Sequence, residues 1–169
     1  MEPPPAVGGR DILVEHCMVW NDKVRALGIA GESRGEIYNI IFRRCTVLHS
    51  LADWAAEVGA LCVVLCDAGT VHDIVFEQID VLDERANGIN CMLFRDRWST
   101  DTQAGHIRAI CFRDISLPKN VSVRLWGYDA AHRVEDILLQ NVHMEEAEAP
   151  WLDSNVYTSE IQVRGTRNE

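Results

Sequence analysis

Six times along the chain one residue, usually polar, is followed by isoleucine, any residue and an apolar residue. The phrase reads Asp11-Ile12-Leu13-Val14, Asn39-Ile40-Ile41-Phe42 and Asp73-Ile74-Val75-Phe76. It returns as Ala109-Ile110-Cys111-Phe112, Asp136-Ile137-Leu138-Leu139 and Glu160-Ile161-Gln162-Val163. The anchoring isoleucines lie 28, 34, 36, 27 and 24 residues apart. A strand phrase recurring at a bounded but irregular period predicts a solenoid, in which each repeat buries its apolar face only against its neighbours.

The phrase continues in a fixed way. Apolar residues follow the isoleucine at two, five and seven positions, as in Ile40, Phe42, Cys45, Val47 and in Ile74, Phe76, Ile79, Val81. Steps of two are strand alternation. The step of three breaks that alternation by one residue, which predicts a bend that keeps two short strands facing one core. A further strand is predicted between phrases, as in Leu61-Cys62-Val63-Val64-Leu65 and Val121-Ser122-Val123-Arg124-Leu125. Three strands per repeat predict an all-β, right-handed parallel β-helix of about five to six short coils, stacked about 4.8 Å apart. Three parallel sheets are expected, with the isoleucines forming one inward ladder. A β-sandwich would explain the strands but not their common phase.

Composition adds limits. The 169 residues make one domain over 10–169 after a Pro- and Gly-rich lead at 1–9. That lead has no apolar core of a signal peptide, and no run approaches a membrane span. The cytoplasm is the expected location of a complete chain, and otherwise the location is open. Six cysteines raise disulfides or zinc, but Cys17 and Cys45 hold the inward position that Ile79, Ile115 and Val142 fill elsewhere. They are expected to be reduced core thiols in adjacent coils. No metal and no cofactor is expected. The net charge of −10 disfavours a nucleic-acid partner and also a polyanionic substrate, so a neutral glycan suits the chain better. No membrane partner is expected.

The run from Asp11 to Asp22, continuing through Arg25-Ala26-Leu27-Gly28-Ile29-Ala30-Gly31-Glu32, resembles the pectin-lyase-like β-helix superfamily. Its nearest look is to the C-terminal half of the polygalacturonases, glycoside hydrolase family 28, and to dextranase-type enzymes. The phrases Ile37 to Val47 and Gly127 to Asp136 share that style, and the resemblance spans roughly residues 10–165. It implies acid–base carboxylates on one sheet face, in motifs written NTDG, GDD, GHG and RIK. The chain departs from these. No aspartate pair precedes the first phrase, Arg25 stands where the GHG histidine would be, and Leu61–Leu65 carries neither Arg nor Lys.

Candidate chemistry therefore falls on what remains. Asp22, Glu32 and Asp67 are the acidic candidates, at the ends of strands that could share a groove. Arg25, Trp98, Arg124 and Tyr128 are the candidate ligand-binding residues, because flat aromatic faces stack on sugars and arginine donates to hydroxyls. Acidic turn residues are commonly only turn formers. The expected function is a truncated, non-catalytic β-helix that binds a neutral glycan or acts as a scaffold. The alternatives are an active hydrolase or lyase with a non-standard carboxylate site, and a fragment of a longer secreted glycosidase. Both ends of the solenoid would leave apolar ladders open, so a homodimer or small closed homo-oligomer is expected.

Overall fold

The computed structural model describes residues 8–51, 58–119, 121–144, 150–165 and 167–168. The segment Leu51 to Val58, whose sequence suggests a helical turn around Trp54, lies largely outside these, as does the lead up to residue 7. Regular structure among the described residues is entirely β. One sheet runs β1 (Gly9–Glu15), β4 (Glu36–Ser50), β6 (Thr70–Val81), β8 (His106–Leu117), β10 (Val134–Met144), β12 (Thr158–Arg164). Beside this path, β2 (Met18–Asn21) pairs with β4 and β13 (Arg167–Asn168) with β10. A second sheet runs β3 (Leu27–Ile29), β5 (Leu61–Leu65), β7 (Ile89–Leu93), β9 (Val123–Trp126), β11 (Leu152–Ser154). Every pairing is parallel, the arrangement of a parallel β-solenoid.

The isoleucines pair in one row, Ile12 with Ile40, then Ile74, Ile110, Ile137 and Ile161. What keeps that row in phase is a backbone device. Asp11, Asn39, Asp73, Ala109, Asp136 and Glu160, each just before an isoleucine, have φ between 52° and 57°. Four residues after each isoleucine the same happens at His16, Arg44, Gln78, Asp114 and Asn141, with φ of 52–54°, and at Gly165, with φ of 62°. A left-handed residue costs a side-chain-bearing position about 1–2 kcal/mol, least for Asn and Asp, which bond locally. That is why the position before the isoleucine is so often Asp or Asn.

Each left-handed residue bends the strand and resets its alternation. In β6 the buried apolar positions are Val71, Ile74, Phe76, Ile79 and Val81, while Asp73 and Gln78 at the bends are exposed. The three expected sheets are therefore two by hydrogen bonding. A single left-handed residue turns the chain without interrupting the ladder on either side, so the long strands carry two bends inside one continuous sheet.

Between the two sheets lies the core. Phe42, Phe76 and Phe112 stack with centroids 4.8 Å apart at each step. Leu61, Ile89 and Val123 face them from the smaller sheet, all at 0 % exposure. Burying each such side chain contributes about 1.5–3 kcal/mol. Cys45 is buried as expected, but Cys17, between β1 and β2, is only half-buried, because those strands pair with β4 on one side only. None of the six cysteines is in a disulfide, and no cluster of His, Cys, Asp and Glu among the described residues could hold a metal ion. The end rungs are open: Ile12 and Val163 are each 45 % exposed. No helix of the described residues is long and apolar enough to cross a membrane.

Ala109 has φ of 54° without an Asn or Asp side chain to support it. Ala109→Asn is expected to stabilise the fold by about 0.5–1 kcal/mol, and Ala109→Val to cost about 1–2 kcal/mol. Calorimetric melting of the two variants against the wild type checks both signs.

Candidate functional site

The chain turns from the large sheet into the small one at a polar corner. If the inward alternation of the first three phrases is carried one step past the last apolar residue, it lands on Asn21, His49 and Asp83. His49 is 5 % exposed and Asp83 8 %. A buried polar group must find partners, and here they find one another. His49 Nδ1 lies 2.5 Å from Asp83 Oδ2, and His49 Nε2 lies 2.9 Å from Asp22 Oδ1. A register shift between Val19 and Trp20 pairs Trp20 with His49. The two rings then lie 4.6 Å apart, and Trp20 Nε1–H donates to Asp22 Oδ1 at 3.1 Å.

Burial alone would raise the Asp83 pKa. The Arg85 guanidinium, the Arg85 backbone N–H and the Ser50 backbone N–H overcome that and pull it down to about 2. Asp83 is therefore an anion, and the short contact to His49 requires the proton on Nδ1. Arg85 Nη2 also approaches Nδ1, at 2.8 Å, but a protonated Nδ1 cannot accept from it. Its hydrogen bonds to Asp83 are the ones that stabilise the corner. The result is an imidazole oriented from below by a buried carboxylate and presented to an exposed one. Asp22 is 69 % exposed in its side chain and Trp20 is 67 % exposed as a residue. An apolar ring face, an outward carboxylate and a guanidinium converge at one solvent-facing edge.

A comparison with family models, with curated proteins and with solved structures finds no match.

Of the residues expected to form a site, Asp22 joins this corner and the others do not. Asp67 sits at the opposite corner, after β5, and is fully buried. Its carboxylate accepts the Thr100 N–H at 2.7 Å, the Thr100 hydroxyl at 2.9 Å and the Asp101 N–H at 2.7 Å. Arg34 stands 3.9 Å away. Burial works against the charge, but these donors outweigh it and lower the Asp67 pKa. Asp67 holds the 94–104 loop and is not a free acid. Glu32 is exposed in the turn after β3.

The ligand-binding candidates scatter too. Arg25 lies beside the buried Cys62 thiol. Trp98, half exposed, packs under Arg97 in the 94–104 loop. Arg124 pairs with Asp153 at 3.2 Å on the outer face of β9 and covers Trp126. Tyr128 meets the edge of His132, which Asp129 holds at 2.8 Å. Among the described residues these candidates do not line one shared groove, for a packing reason. The outward residues in the middle of the small sheet, Cys62, Val64, Asn90 and Met92, are all buried, with Ala30 and Phe94 packed against three of them.

A second imidazole is held the same way. His72 lies between Glu36 at 3.0 Å and Asp73 at 2.6 Å, and Tyr38 stacks on it at 5.0 Å. Both motifs follow from a histidine placed one rung from an aromatic residue. Sequence reasoning missed His49 and Asp83, although polar residues at an inward phase were the available signal.

Since the folded-state pKa of Asp83 is depressed, its contribution is complete above about pH 4 and lost as pH falls towards about 2. The shift corresponds to about 2 kcal/mol. Asp83→Asn is expected to be less stable by about that much at neutral pH. It should also lose less further stability than the wild type between pH 5 and pH 2. Equal acid sensitivity in urea melts at the two pH values would contradict this account.

Proposed function

We propose that the chain is a non-catalytic, right-handed parallel β-helix of five to six coils, related to the pectin-lyase-like polysaccharide enzymes, that binds a neutral glycan through its Trp20 corner. One observation carries the non-catalytic part. The sheet face on which the resembling enzymes hold their acid and base is filled here by Cys62, Val64, Asn90 and Met92, each 3 % exposed or less. Asp67, just past the end of β5, is consumed by its own hydrogen bonds. The glycan reading rests on Trp20, Asp22 and Arg85. An exposed indole stacks on the apolar face of a sugar ring, and a carboxylate and a guanidinium beside it accept and donate to hydroxyls.

The chain is further proposed to self-associate as a homodimer or small homo-oligomer, supported by the open apolar rungs at Ile12 and Val163. Six cysteines without a disulfide suit a reducing compartment, and the cytoplasm is the proposed location. A second reading, an active hydrolase or lyase, is favoured by the oriented His49 imidazole, whose Nε2 lies 2.9 Å from Asp22 Oδ1. A glycosidase needs two carboxyls at a defined separation, and Asp83 is too buried to serve as the second.

Titration calorimetry against a panel of neutral glucans and pectins tests both readings. Binding to a neutral polysaccharide is expected, weakened at least about tenfold by Trp20→Ala, with no release of reducing ends. Turnover that Asp22→Asn abolishes would overturn the non-catalytic reading in favour of the enzyme.

A further inference from the structure

The outer face of the large sheet carries two rows that no site described so far uses. Three residues after each isoleucine stand Glu15, Arg43, Glu77, Arg113, Gln140 and Arg164, paired rung to rung in that order. Arg43 binds Glu15 at 2.7 Å, and Arg113 binds Glu77. One residue after each isoleucine stands Leu13, Ile41, Val75, Cys111, Leu138 and Gln162. Leu13 is 48 % exposed and Ile41, Val75, Cys111 and Leu138 are partly exposed. An apolar stripe therefore runs along the solenoid beside a stripe of alternating charge.

The order of that charge stripe is self-complementary. A two-fold axis lying in the face, along the strands and midway between the Glu77 and Arg113 rungs, reverses the rungs and keeps each row opposite itself. Glu15 then meets the second copy's Arg164, Arg43 meets its Gln140 and Glu77 meets its Arg113. In the apolar row Ile41 meets Leu138 and Val75 meets Cys111. A two-fold axis along the solenoid instead sets Glu15 against Asp11 and Glu77 against Asp73, which repels.

We propose that this face docks a second copy of the chain, with the two solenoids antiparallel and the axis between the Glu77 and Arg113 rungs. The proposal rests on the self-association read above and names its surface. The central facet is about 24 Å tall and about 13 Å wide, from the rung and residue spacings. That is below a standard interface, so the dimer is weak and reversible. The acidic bend row weakens it further, since Asp11 comes opposite Glu160 and Asn39 opposite Asp136.

Sedimentation equilibrium of the full chain at about 100 μM tests this, a concentration at which a dimer with a dissociation constant in the tens of micromolar or below is mostly populated. The wild type is expected to approach twice the 19.1 kDa chain mass. Arg113→Glu is expected to weaken association at least about tenfold. The reciprocal pair Glu77→Arg with Arg113→Glu is expected to restore it, which a folding defect would not do. Ile41→Cys with Leu138→Cys, in a Cys111→Ser background, is expected to cross-link between copies on oxidation. Within one chain those positions are three rungs apart, about 14 Å, beyond disulfide reach. A monomer at this concentration overturns both the self-association and this surface. A dimer that tolerates Arg113→Glu but is lost in Ile12→Glu overturns this surface alone, in favour of stacking through the open first rung.

Discussion

The left-handed residue is the constraint on which the rest of the molecule depends. Parallel strands stacked in register align like with like, but only if every repeat bends at the same two places. A bend displaced by one residue would turn an inward isoleucine outward, because side chains alternate with a period of two. The twelve residues that bend the described repeats, from Asp11 and His16 to Glu160 and Gly165, hold that phase. Between them the interval is constant, and the variation in repeat length falls in the corners. This explains why isoleucines 24 to 36 residues apart form a single straight row.

The corners are where length varies, and they are also where polar groups collect. A corner backbone leaves the ladder, so its groups need side chains to satisfy them. Asp67 answers that need at one corner by accepting two backbone N–H groups from the 94–104 loop. Asp83 answers it at the other by accepting those of Ser50 and Arg85. Close stacking fixes further choices. At Gly105 a side chain would collide with the backbone oxygen of Gly69 in the rung before it. The acidic residues that look most like catalytic candidates in one dimension are thus, in part, the fasteners of the solenoid.

That division explains what could be read from the amino-acid order. The anchoring row, the strand alternation and the role of Cys45 as a small core residue were legible, because a period repeated six times leaves little room for another phase. The bend was legible as a step of three from Phe42 to Cys45, although its cause, the backbone of Arg44, was not. The two-sheet organisation was hidden, since nothing in side-chain order tells whether hydrogen bonding survives a bend. The candidate groove was misread because the outward side of β5 and β7 is apolar. Val64 and Met92 fit a strand buried on both faces as well as an inward row, and what covers them comes from distant segments such as the one bearing Phe94.

His49 shows how function can be separated from support in such a fold. Its Nδ1 faces a buried anion whose donors, Arg85 and Ser50, belong to the corner itself. That half is structural and would be required in a silent scaffold. Its Nε2 faces Asp22, whose other side-chain contact among the described residues is the exposed Trp20 indole. A support needs no exposed indole beside an exposed carboxylate, since leaving an indole in water forgoes its burial. The inner half of the network is explained by folding alone. The outer half is not, and it is there that a ligand would find an apolar face and hydrogen-bonding groups already positioned.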